Sequence, residues 1–260
     1  MFIAALILSI ASLSSLSHAK SKNESTLNHI CKPGEHWVRA HSQSAYVRSD
    51  GTHVSGSFHK AHCQNNPPAY AIWNERLKNS FPPQWEFKNE KTKLWSDAEK
   101  ERVLEALSSL PDALLLQSVE GIYRMKTYLD HPANPAANHN HQIVVYDEAF
   151  KPKQNLASIM AHEFAHNLCR QLYDSPEGDS YALAADWMLI PVTGTNTRIL
   201  MPKPSREFVE KDGEDSLNED LSNNIEYFLF NPQELKRKTP KVYDWITKKY
   251  GDKFKLGKGR

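Results

Sequence analysis

Residues 155–172 constrain this chain more than any other stretch. They contain no Pro or Gly, and Leu156, Ile159, Leu168 and Leu172 recur at helical spacing. The spacing predicts a helix, and within it runs Ala161-His162-Glu163-Phe164-Ala165-His166. Residues four apart on a helix stand one above the other, so both imidazoles point to one side and can grip one metal ion. Glu163 lies beside the first of them, where its carboxylate can reach a metal-bound water. Zinc lowers the pKa of such a water toward neutrality, and a glutamate can take its proton during attack on a carbonyl.

A catalytic zinc needs a third protein ligand and an open position. A third histidine at the extended His-Glu-x-x-His-x-x-Gly-x-x-His spacing is excluded, because Cys169 and Leu172 occupy those places. By residue type the candidates are Glu177, Asp179, Asp186 and Glu219. Here a resemblance enters. Asn218-Glu219-Asp220-Leu221-Ser222-Asn223 resembles the second motif of the glutamate-zincin metallopeptidases, the group that includes thermolysin and lethal-factor-like enzymes. The stretch from Phe208-Val209-Glu210 through Ile225-Glu226-Tyr227 and Asn231-Pro232 to Pro240-Lys241-Val242-Tyr243 is similar to the end of bacterial zinc peptidases of this kind. The likeness covers residues 96–250.

The resemblance implies hydrolysis of a peptide bond, with Zn2+ held by His162, His166 and Glu219. Glu163 would act as base and then as proton donor to the leaving amine. It also implies that the residue one turn after Glu219 orients a histidine. Asn223 stands there in place of the Asp of thermolysin-like members, so that hydrogen bond is expected to be neutral and weaker. Ser222 stands where alanine is common, a change expected to be harmless. The implied fold is α+β: a small twisted sheet with an edge strand over the metal-binding helix, and a helical C-terminal half. The rival reading is a non-enzymatic or substrate-restricted binding or effector protein on the same scaffold, against which the presence of Glu163 argues.

The flanking sequence fits an exported protein. Residues 1–19 hold no Asp, Glu, Lys or Arg, and an apolar run from Phe2 to Ile10 leads to Ser17-His18-Ala19, as in a secretory signal peptide. A periplasmic or secreted location is expected, without stable membrane insertion once the signal is removed. Residues 20–80 are expected to form a small β-rich region. Its strands are placed at 36–40, 45–48 and 52–54 around an Asp50-Gly51 turn. The catalytic domain is expected over 81–260, its boundary between Pro67-Pro68 and Pro82-Pro83.

Within that domain, Ser96-Asp97-Ala98-Glu99 is a capping box before Val103, Leu104, Leu107 and Leu110. Pro111-Asp112 begins a second short helix. Residues 121–125 read as an edge strand, 131–141 as a polar loop and 142–146 as a buried strand. Helix is expected near 180–189, loop over 191–215, and helix again over 217–230 and 240–249. His139 and His141 would share a face if they lay on one strand. Tyr181 and Tyr227 are better read as packing residues than as donors to an oxyanion.

A net charge of +1 implies no nucleic-acid partner, since such binders carry a basic excess or face. The expected partner is a protein or peptide substrate, cell-wall peptide included. Of the three cysteines, Cys31 and Cys63 close one short segment and suit a disulfide in an oxidising space. Cys169, on the metal-binding helix, reads as a buried apolar residue. Mass mapping without reduction should find a peptide joining Cys31 to Cys63; one joining Cys169 to either would contradict this division of the chain.

Overall fold

The computed structural model describes residues 35–38, 41–43, 46–47, 53–60, 62–65, 68–80, 92–115, 119–128, 131–139, 141–172, 175–195 and 197–256. The expected signal peptide and Cys31 lie outside them. The chain divides into two compact units, Met1–Gln64 and Asn65–Arg260.

The first unit is a β-ribbon. It contains β1 (Glu35–Val38), β2 (His41–Gln43), β3 (Tyr46–Val47), β4 (His53–Val54), β5 (Ser57–His59) and β6 (His62–Asn65), the last ending across the boundary. Strands β1 and β6 are neighbours, β2 pairs with β5 and β3 with β4. The antiparallel register His41↔His59, Tyr46↔Val54 and Val47↔His53 runs without a slip toward the Asp50-Gly51 segment. That segment, where the hairpin turn is expected, lies outside the described residues.

The second unit starts earlier than the expected residue 81. Helix α1 (Pro68–Arg76) and strand β7 (Leu77–Lys78) already belong to it, because Trp73 and Leu77 enter its core. Trp73 meets Phe164 edge to face at 4.9 Å. Helix α2 (Asp97–Ser108) opens with the expected capping box, both reciprocal bonds being present. Val103, Leu104 and Leu107 are its buried side, and the one-turn helix α3 (Asp112–Leu115) buries Leu114 and Leu115 beyond it.

The sheet that carries the site has the order β7-β8-β10-β9, with β8 at Gly121–Arg124, β9 at Ala136–His139 and β10 at Gln142–Val145. Strand β8 lies parallel to both β7 and β10, while β9 returns antiparallel to β10. Two expectations are corrected here. Residues 121–125 do not form an edge strand: β8 has a neighbour on each side and all four of its residues are buried. The two terminal strands are β7 and β9, the latter within what reads as a polar loop, because a terminal strand tolerates Asn and His. His141 occupies the turn at φ 69°, so it does not share a strand face with His139. Ile143 and Val145 face the helices, and Val144 turns to a small cluster with Met125 and Tyr146.

Helix α4 (Leu156–Leu172) matches the predicted span within a residue, and Asn155 Oδ1 accepts from Ser158 N at 3.3 Å as its cap. Helix α5 (Pro176–Ala184) follows, shorter and earlier than expected. The predicted 191–215 loop is also corrected. A hairpin of β11 (Trp187–Pro191) and β12 (Arg198–Pro202) stands there, its polar Thr193-Gly194-Thr195 link bending at Gly194, φ 79°. Helices α6 (Leu217–Phe230), α7 (Pro232–Lys238) and α8 (Pro240–Lys249) complete the unit; α7 is not predicted, the other two are. The architecture is α+β, and among the described residues no helix is long and apolar enough to cross a membrane.

A buried ion cluster ties α2 to the sheet. Arg124, 1% exposed, donates from Nη2 to Glu99 Oε1 at 2.8 Å, pairs with Asp147, and lies 4.7 Å over the Phe150 ring. Burial alone would raise the Glu99 carboxyl, but Arg124, the Ser96 backbone and Lys93 hold it at about 2 against an ordinary 4.5. A depressed carboxyl adds stability above its unfolded pKa and loses it as pH falls through the folded one. Glu99→Gln should therefore lower stability by ~2 kcal/mol at neutral pH. In melts of both proteins the gap should be constant above pH 4.5 and shrink as pH falls toward 2.

Candidate metal centre

Helices α4 and α6 pack antiparallel, as their contacts show in sequence: Cys169 meets Leu217, His166 meets Ser222, and Ser158 meets Glu226. This register brings Glu219, at the start of α6, over the two histidines of α4. Its own cap is in place, Ser216 Oγ accepting from Glu219 N at 3.1 Å. Glu219 Oε2 stands 3.3 Å from His162 Nε2 and 3.6 Å from His166 Nε2. Donors on a tetrahedral zinc with bonds of about 2.1 Å lie about 3.4 Å apart, which both carboxylate distances approach, and the ligand atoms of all three residues lie within 4.8 Å of one another. Among the described residues this is the one group of three or more His, Cys, Asp or Glu that could hold a metal.

The rear nitrogens are engaged as well. His166 Nδ1 lies 3.0 Å from Ser222 Oγ, and His162 Nδ1 lies 3.4 Å from Glu226 Oε2. Both Nε2 atoms are thus the ones turned toward Glu219. The two rings meet nearly at right angles, 4.7 Å between centroids. Glu163 is buried, and its Oε2 has no hydrogen-bond partner among the described residues. A buried carboxylate oxygen without a partner is costly, and it suits a site that takes in water or a metal-held ligand. The donor set could hold a metal ion, and this orphaned oxygen lies on the same helix as two of its members.

The electrostatics follow from burial and crowding. Burial pushes the Glu163 carboxyl up to about 8; His162 opposes this, while Glu219 and Glu226 add to it. Burial and the charge of His162 lower His166 to about 4. Burial works against protonation of His162 too, yet the bonds to Glu219 and Glu226 raise it well above its ordinary value. Cys169 is a free buried thiol, pushed by burial up to about 12, and is no nucleophile.

The other expected residues lie elsewhere. Glu177 faces Lys249 at 3.6 Å, Asp179 pairs with Arg198, and Asp186 pairs with Lys203 at 3.0 Å and Lys241 at 3.2 Å. Tyr181 donates to Asp220 at 2.9 Å and Tyr227 to Glu210, so both hydroxyls are engaged. The resemblance assigned Asn223 to a histidine, and this is corrected: Asn223 Nδ2 donates to Asp212 Oδ1 at 2.6 Å. On the helix Asn223 is turned about a quarter turn past Ser222, toward the 3-10 turn Lys211–Glu214. Glu226 and Ser222 were given no role by the sequence reading. Their signal was the spacing 219, 222, 226, which repeats on one helical face.

The edge strand is fastened to the same helix. Asn138 Nδ2 donates to the backbone carbonyl of Glu163 at 2.7 Å and to Asn167 Oδ1 at 3.2 Å. A missing third ligand would weaken an ion bound here and, with it, the folded state that such an ion selects. Glu219→Ala should therefore lower both zinc occupancy and the melting temperature of the zinc-loaded protein. Glu177→Ala, Asp179→Ala and Asp186→Ala should leave occupancy unchanged in parallel metal analyses. No family model, curated protein or solved structure matches this chain.

Proposed function

We propose that this chain is an exported zinc metallopeptidase with a zincin-type catalytic domain, periplasmic or secreted, that hydrolyses peptide bonds in protein or cell-wall peptide. The observation that carries the reading is the convergence of His162 Nε2, His166 Nε2 and Glu219 Oε2 beside the buried Glu163. His162, His166 and Glu219 would hold the metal. A bound zinc ion supplies Lewis acidity, acidifying water and polarising a carbonyl oxygen.

Glu163 does the proton work. Its unpartnered oxygen accepts a proton from the attacking water and returns it to the nitrogen of the leaving amine. Burial raises the proton affinity of this carboxylate, which favours its accepting a proton from water. The edge strand β9 is held by Asn138 against the Glu163 carbonyl, and an extended peptide would add along its outer side. A scaffold that merely bound metal or partner would have no use for a buried carboxylate with a free oxygen, which speaks against the non-enzymatic reading.

Glu163→Gln keeps the size of the side chain and removes its basicity. The variant should retain one zinc per chain while hydrolysis of a fluorogenic peptide library falls by about 10²–10⁴. Wild-type rates in the variant, or wild-type hydrolysis indifferent to a chelator, would show the mechanism to be wrong.

A further inference from the structure

Helix α6 gives the centre more than a ligand. Glu219, Ser222 and Glu226 lie along one face, and the last two stand behind the imidazoles rather than in front of them. Glu226 spends both oxygens on α4: Oε2 stands 3.4 Å from His162 Nδ1, and Oε1 accepts from Ser158 Oγ at 2.6 Å. Ser158 lies one helical turn before His162, so the carboxylate is gripped from the same helix it supports. Asn223, where the resemblance would place the orienting group, is committed to Asp212.

We propose that Glu226 is the positioning residue of this metal centre, having taken over from Asn223 the task of orienting a histidine. Accepting from Nδ1–H of His162, it fixes the tautomer whose Nε2 lone pair faces Glu219, and its charge makes that nitrogen a stronger donor. The charge that Asn223 cannot supply is thus restored one turn further along α6, where the longer glutamate reaches back to the first histidine. Ser222 orients His166 in the same way without charge. A neutral group suffices there because that ring is the more deeply buried of the two, 8% against 15% exposed, and packing holds it. The inference rests on the zinc reading above but not on catalysis.

The test is zinc affinity of the full-length protein, measured by competition with a chromophoric chelator, beside the melting temperature of each metal-free variant. Glu226→Ala should weaken zinc by about 10–100-fold while the metal-free protein stays folded, its melt falling only by the lost bonds to Ser158 and His162. Glu226→Gln should lose less, since its amide oxygen still accepts from Nδ1–H. Asn223→Ala should stay within about twofold of wild type, as expected for a group outside the ligands' support. Should Glu226→Ala fail to fold, Ser158→Ala decides: it frees one oxygen of Glu226 and should weaken zinc by about threefold. Wild-type affinity in Glu226→Ala, or in Ser158→Ala where that variant has to decide, overturns the proposal, as does an equal loss in Asn223→Ala. Zinc bound without peptide hydrolysis would overturn the peptidase reading alone.

Discussion

Asp220 is the pin on which the site depends. It is 1% exposed, and its two oxygens accept from Tyr181 Oη at 2.9 Å, Trp187 Nε1 at 3.0 Å, Asn224 Nδ2 at 2.9 Å and the buried Arg206 guanidinium. Those donors come from α5, from β11, from α6 itself and from the segment after β12. Arg206 is in turn stacked 4.2 Å from the Phe208 ring centroid. A carboxylate can stay inside a protein only with such a set, and loss of one partner leaves the other charge stranded at a cost of about 3–5 kcal/mol. The rotation of α6 is therefore fixed on the side of Asp220. Its neighbour Glu219, a quarter turn away, has one direction left, toward the histidines of α4.

The same rule, that buried polar groups need partners, sorts the rest of the chemistry. Both histidines have their rear nitrogens against α6, the edge strand is tied by Asn138, and Arg124 is closed off by Glu99 and Asp147 on the helix-covered face of the sheet. The buried side-chain atoms without a hydrogen-bond partner among the described residues include Glu163 Oε2, on the helix that carries both imidazoles. The apolar core beneath it, with Phe164, Met160 and Ala165 of α4 against Ile225 and Leu221 of α6, supplies the rigidity that lets two helices hold donors at ligand spacing.

Local signals were legible in the sequence, and distant ones were not. The bounds of α4, the Ser96–Glu99 capping box, strand β10 and helices α6 and α8 follow from periodicity and caps, each contained in a dozen residues. Glu219 was reached through a motif resemblance, and the geometry brings it to both imidazoles. By contrast, whether 121–125 or 136–139 is the edge depends on β7, which lies more than forty residues upstream of β8. The β11–β12 hairpin was hidden because Trp187–Pro191 and Arg198–Pro202 are short, carry prolines and follow a helix whose end has no glycine. The choice of Glu226 and Ser222 over Asn223 turns on the rotation of α6, and that is set by the partners of Asp220 rather than by α6 alone.

The central claim is that two imidazoles and one carboxylate hold zinc here, and X-ray absorption at the zinc edge of the purified protein tests it most directly. The account predicts one zinc per chain, a first shell of nitrogen and oxygen at about 2.0–2.1 Å, and the outer-shell scattering of two imidazoles. A zinc-free protein, or a zinc–sulfur distance of about 2.3 Å, would contradict it.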